Sequence, residues 1–148
     1  RKMISDTLNT LRKKLQEPET RTIILDDCAE EIDKIIENRA VLLDFSEKFQ
    51  DDISRFNKHK SEYLRKKKGI FETLPLNKKQ IKSKKWDYTL CCYKYKKNGK
   101  NNKNIRCIFI IDKDNNWNIF VHSFVEKETK DYQKAIDKAI KRCNEELE

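Results

Sequence analysis

Arg106, His122 and a run of lysines are the side chains in this sequence with the clearest chemical potential. A guanidinium stays charged and can offer paired hydrogen bonds to phosphate oxygens, so Arg106 suits an anionic phosphate ester. An imidazole titrates near pH ~6.5, which suits His122 to acid–base work. His122 also shares a strand face with Phe124, so a hydrogen-bonded core histidine is the competing reading. Lys82, Lys84, Lys85, Lys94 and Lys96 are spaced to line the path of a polyanion. Tyr93 and Tyr95 share the opposite strand face from Lys94 and Lys96. They can stack on bases or carry a proton, or simply pack the sheet.

The charge distribution bears on the same question. Residues 58–106 carry 17 basic and 3 acidic side chains, a net of +14, whereas residues 1–57 have a net of −3 and residues 107–148 a net of −2. The whole excess of positive charge, +9 overall, therefore lies in the middle third. Such a block suits nucleic acid, the commonest polyanion of a cytosol. A merely solvated lysine-rich surface is the plain alternative.

Composition excludes several classes. No apolar run approaches the ~18 residues of a membrane span. No signal-peptide pattern opens the chain. Cysteines 28, 91, 92, 107 and 143 are odd in number, and three lie in strand-like stretches. They read as reduced, partly buried thiols of a cytoplasmic protein rather than a disulfide framework. Cys91 and Cys92 are adjacent and would face opposite sides of a strand, and no CxxC pair occurs, so no zinc set is expected. No cofactor is expected either.

These residues need elements to position them. "MISDTLNTLRKKLQ" (3–16) spaces Met3, Ile4, Leu8, Leu11 and Leu15 for a helix, ended by Glu17-Pro18. Thr22–Asn38 reads as a second helix with Asp26 or Asp27 as N-cap. Over 39–68 two readings stand. The first makes "RAVLLDF" a short buried strand before a helix over 47–57. The second runs one long helix along a near-heptad seam from Ile32 to Tyr63. The strand is the expectation. A basic helix over 58–70 ends at Gly69, and "FETLPLNKKQIKSKK" reads as a loop. From Trp86 the period changes to two: "WDYTLCCYKYK", "IRCIFIID" and "WNIFVHSFV" form a three-stranded antiparallel meander. Tyr132–Leu147 is then a helix that packs Ala135, Ile136, Ala139, Ile140 and Cys143 on the sheet. The expected class is α+β: an antiparallel sheet, the meander plus a first strand, with helices on one face. Residues 1–39 form a helical extension and residues 40–148 the domain.

This arrangement resembles the RelE/ParE superfamily of bacterial toxins, in its HigB-like branch. The resemblance rests on "IRCIFIID" with Arg106 near its start, on "VHSFVEKETKDYQKAIDKAIKR" against a His-x-Phe-x-Lys-Lys strand end before an alanine-spaced helix, and on "SKKWDYTL" opening the meander. The sequence departs from the pattern at Glu126, where the first Lys of the pair would stand, and at Thr89, where an Arg is usual. It also has Asp131–Tyr132 in place of a proline. The resemblance implies a toxin of a toxin–antitoxin system that cleaves messenger RNA without a metal, often on the ribosome. In such a reaction a base activates the 2′-OH, cations stabilise the dianionic phosphorane, and an acid protonates the leaving 5′-oxygen. It assigns Arg106 to the phosphorane, Lys127 to its assistance and His122 to proton transfer. It implies RNA and an antitoxin protein as partners, and the N-terminal helices offer a route to a homo-oligomer. The alternatives are a non-catalytic nucleic-acid-binding module, favoured by the Thr89 and Glu126 departures, and a helical stalk over 1–68 bearing a small α+β head as a scaffold.

Overall fold

Alternating apolar residues in the C-terminal half build the sheet around which everything else packs. The computed structural model describes residues 3–66, 69–76, 86–96, 104–112 and 114–147, with the backbone alone at 61, 65, 66, 86–88 and 96. In chain order the elements are α1 (Asp6–Lys14), β1 (Thr22–Ile24), α2 (Asp26–Ile35), α3 (Arg39–Lys66), β2 (Phe71–Leu74), β3 (Trp86–Lys96), β4 (Asn104–Asp112), β5 (Asn118–Val125) and α4 (Lys130–Glu146). The strands form one sheet in the order β1-β5-β4-β3-β2. β1 runs parallel to β5, and the other pairs are antiparallel. The fold is α+β, and the meander and the final helix lie where the sequence periodicity predicts them. Among the described residues no helix is long and apolar enough to cross a membrane.

Helices cover both faces of the sheet rather than one. On one face α1, α2 and α3 pack on Cys91, Tyr93, Tyr95, Cys107, Phe109 and Phe120. On the other, Ala135, Ile136, Ala139, Ile140 and Cys143 of α4 pack on Leu90, Cys92, Ile108, Ile110 and Val121. The strands are apolar on both sides, as a sheet covered on both faces requires. The first face holds an aromatic core: Phe49 meets Phe120 at 4.8 Å, Phe56 stacks on Phe71 at 4.6 Å, and Phe109 stacks on Phe120 at 4.6 Å between ring centroids.

The N-terminal half departs from expectation in four places. "RAVLLDF" is not a strand but the start of α3. Asn38 Oδ1 accepts from the Ala40 and Val41 N–H groups (2.8 and 3.2 Å), which opens the helix. No Gly or Pro interrupts the run, and Leu42, Phe45, Phe49, Ile53 and Phe56 form one buried face at helical spacing. α3 bends at His59, whose backbone is non-helical. Thr22–Asn38 is not one helix: Thr22, Ile23 and Ile24 pair with Asn118, Ile119 and Phe120 as β1 before α2 begins. Sheet pairing outweighs helical periodicity for this β-branched triplet. Residues 71–74, expected as loop, form β2 on β3. Four residues with apolar positions only at its ends give no period to read. The expected helix over 58–70 is the end of α3, and Gly69 lies in a turn beyond it.

Among the described residues, 22–66 therefore form no elongated helix pair, and α3 packs on the sheet. The stretch before residue 40, expected as a helical extension, supplies β1 to the sheet and Leu8, Leu11, Leu15, Ile24, Cys28, Ala29 and Ile32 to the core. Ser5 ties α1 down: its Oγ accepts from Leu8 N–H, and its Oγ–H and N–H both donate to Asp33 at 2.7 Å. All five cysteines are buried, and none is in a disulfide. Burial pushes the Cys107 and Cys143 thiols up to about 12.

Candidate functional site

Register and a bulge decide what the meander can present. β4 pairs with β5 so that Arg106 lies opposite Phe124 and Ile108 opposite His122. Between Ile108 and Phe109 the register shifts, leaving Val121 as the extra residue. The bulge turns Phe120 toward the α3 side while His122 and Phe124 face α4. On β3, Lys94 lies opposite Arg106, on the same face. One face thus carries Lys94, Arg106, His122 and Phe124, joined along a row of rings. His122 stacks on Phe124 (5.8 Å), and Phe124 meets Tyr132 of α4 edge-on (5.4 Å).

Arg106 ends that row. Its Nε donates to Glu126 Oε1 at 2.9 Å and to Tyr132 Oη at 3.0 Å, and Nη1 donates to the Ile105 carbonyl at 3.3 Å. Its side chain is 12% exposed and that of Glu126 27%. Burial pushes the Tyr132 phenol up, against the pull of Arg106. Tyr132 is therefore a neutral hydroxyl at pH 7 that can accept from Arg106 and donate elsewhere. Lys94 pairs with Glu72 of β2 at 3.2 Å. Two cations placed opposite each other on neighbouring strands would repel; here each has a carboxylate on its outer side.

His122 belongs to a second ionised cluster at the other end of the row. Its Nδ1–H donates to Glu31 of α2, 2.9 Å from both carboxylate oxygens. Arg142 of α4 makes a two-pronged pair with the same carboxylate, Nη1 to Oε1 at 2.6 Å and Nη2 to Oε2 at 3.0 Å. Lys138 approaches it at 3.6 Å. Burial raises the Glu31 carboxyl, but the hydrogen bonds and charges of His122 and Arg142 outweigh it and bring it from 4.5 down to about 2. The cluster also closes a sheet edge. β1 pairs with β5 only as far as Phe120, and beyond it the Ser123 N–H donates to Glu31 while Arg142 donates to the Val121 carbonyl. Buried backbone groups need such partners. His122, 6% exposed, is thus the hydrogen-bonded core histidine of the two sequence readings.

The expected site residues are only partly gathered. Arg106 and His122 share a face but belong to separate clusters. Lys127 is exposed on the turn between β5 and α4, where its N–H and that of Glu128 donate to Asp131. Lys82, Lys84 and Lys85 lie outside the described residues, and for Lys96 only the backbone position, opposite Asn104, is described. Tyr93 and Tyr95 do not face a ligand. Their hydroxyls donate to Asp52 (2.8 Å) and Asp44 (2.6 Å) of α3, and both rings are buried. Glu31, Glu72, Tyr132 and Arg142 escaped the sequence reading as site residues. Glu31 and Arg142 stand four positions or fewer from apolar helix residues, as any solvated helix charge does, and only the fold turns them inward. Among the described residues no group of three or more His, Cys, Asp or Glu side chains is arranged to hold a metal ion.

No family model, no curated protein and no solved structure matches this chain.

Proposed function

We propose that the protein acts on RNA as a RelE/ParE-type toxin of the HigB-like branch, a metal-independent endoribonuclease that works in the cytoplasm on messenger RNA at the ribosome and is held in check by an antitoxin. The observation that carries this reading is the Arg106–Tyr132 pair at the end of the α4 face, with Lys94 opposite in register. A guanidinium and a phenol kept protonated by burial are the two kinds of group needed for phosphorane stabilisation and leaving-group protonation. From Thr22 onward the chain runs strand, two helices, four antiparallel strands and a helix, which is similar to the order the resemblance implies for residues 40–148 but begins earlier and has β2 as an added strand. In this reading the 2′-OH passes its proton to solvent water as its oxygen attacks the phosphorus, Arg106 stabilises the phosphorane, Tyr132 protonates the leaving 5′-oxygen, and exposed Lys127 assists from the turn. His122 aligns the face through Phe124 and Tyr132 rather than moving a proton, because it is 6% exposed and its ring is stacked on Phe124. Lys82, Lys84, Lys85, Lys94 and Lys96 supply electrostatic attraction for the strand.

A non-catalytic RNA-binding module is the second reading, and the contact of Glu126 with Arg106 favours it. One experiment separates the two. Purified protein is incubated with messenger RNA, naked and on ribosomes, in EDTA. Cleavage that leaves 2′,3′-cyclic phosphate ends supports the enzyme. RNA binding without cleavage in either format leaves the binding module, and neither binding nor cleavage removes both.

A further inference from the structure

Glu126 occupies the position on Arg106 that an anionic ligand would take. It stands one residue past β5, and its backbone is fixed because its N–H donates to the Asn104 carbonyl at 2.8 Å. The next two N–H groups are held by Asp131 at 2.8 and 2.9 Å. The turn is therefore anchored from both sides, and the Glu126 side chain can swing without moving it. The carboxylate takes the Nε edge of Arg106, while Nη2 donates to no described group. Carboxylate and phosphate compete for this fork with the same two-oxygen geometry. The Glu126 side chain is 27% exposed against 12% for Arg106, so the carboxylate has a path to solvent that the guanidinium lacks. Glu72 stands in the same relation to Lys94 on the neighbouring strand, 3.2 Å away.

We infer that Glu126 is an intramolecular guard of the phosphate seat at Arg106. It holds the guanidinium while the site is empty and swings into solvent when a phosphodiester arrives, so that RNA must displace it to bind. The inference rests on the reading that this face meets RNA. It adds that the face is restrained by the protein's own carboxylate, a restraint that removing one charge would lift.

The test compares wild-type chain, Glu126→Gln, Arg106→Gln and the double variant, each first checked by thermal melting. A labelled single-stranded RNA is titrated in fluorescence polarisation at fixed salt. In parallel, inorganic phosphate is titrated while the Arg106 Nε–H NMR signal is followed in the two forms that retain it. Glu126→Gln is expected to bind RNA roughly three- to tenfold more tightly, and its Arg106 signal to respond at lower phosphate than in wild type. The gain should vanish in the Arg106→Gln background. An equal gain in that background would reduce the effect to net charge and overturn the guard. So would unchanged RNA affinity together with an unchanged phosphate response. If phosphate reaches Arg106 more readily in Glu126→Gln but no form binds RNA, the guard stands and the RNA reading falls. Should Glu126→Gln unfold, Glu126→Ala takes its place in both titrations.

Discussion

The α4 face carries two clusters built from the same parts, an arginine, a glutamate and a ring, yet they differ in what they can do. At the β5 edge, Glu31 is saturated by His122, Arg142, Lys138 and the Ser123 N–H, and its partners also close backbone groups. At the sheet end, Arg106 of β4 has one carboxylate, one phenol and one backbone carbonyl, and the carboxylate stands where an exposed turn begins. In the first cluster Glu31, His122 and Arg142 are committed to one another and to backbone groups, and only Lys138, 54% exposed, reaches solvent freely. The second has a cation that can change partner. Residue type does not separate a structural ion network from a binding site; the number of committed hydrogen bonds and the solvent beside them do.

The sharpest break of this comparison is Glu31→Ala. It leaves Arg142 without its main partner in a largely buried setting, and removing one member of such a pair costs about 3–5 kcal/mol. Urea denaturation should show that loss, and a loss below about 1 kcal/mol would mean that the edge cluster is as loosely held as the other. Arg106→Ala should do the opposite: RNA cleavage falls roughly 10²–10³-fold, while stability changes by about 1 kcal/mol or less, because Glu126 remains partly solvated.

Acid should also distinguish the clusters. The Glu31 carboxyl is held at about 2 when folded, against an ordinary 4.5. A depressed carboxyl takes its proton first in the unfolded chain, so its stabilisation is complete above about pH 5 and is lost as pH falls toward 2. The loss from this residue is on the order of 3 kcal/mol, and it should be missing from the pH–stability curve of Glu31→Gln. Replacing Lys82, Lys84, Lys85, Lys94 and Lys96 together by Gln should flatten the log–log salt dependence of single-stranded RNA binding by up to about 3.5. An unchanged slope would make the basic block only a solvated surface. The smallest effect is expected from His122→Gln. The amide can still donate to Glu31, so stability should fall by about 1 kcal/mol and cleavage should persist. A cleavage loss as large as that of Arg106→Ala would return His122 to the chemistry and erase the distinction between the clusters.

The meander was legible because β3, β4 and β5 are runs of eight or more residues rich in apolar and aromatic side chains and bounded by turn residues, and α4 because its buried residues keep a period of 3.6. So was the choice facing His122, since its shared face with Phe124 follows from alternation alone. What the sequence left open turned on partners far along the chain. β1 and β2 are three and four residues long, too short for any period, and exist because β5 and β3 offer free edges. "RAVLLDF" carries apolar residues that suit either a strand or a helix, and the buried face continuing through Phe49, Ile53 and Phe56 decided for the helix. The bulge at Val121 sent Phe120 to one face and His122 to the other, which no alternation reveals. Arg106 could be chosen for its chemistry from the sequence. That Glu126 would sit on it, and that Glu31, 91 residues away, would claim His122, was decided by tertiary structure, because an ion pair depends on distance in space and the sequence records only distance along the chain.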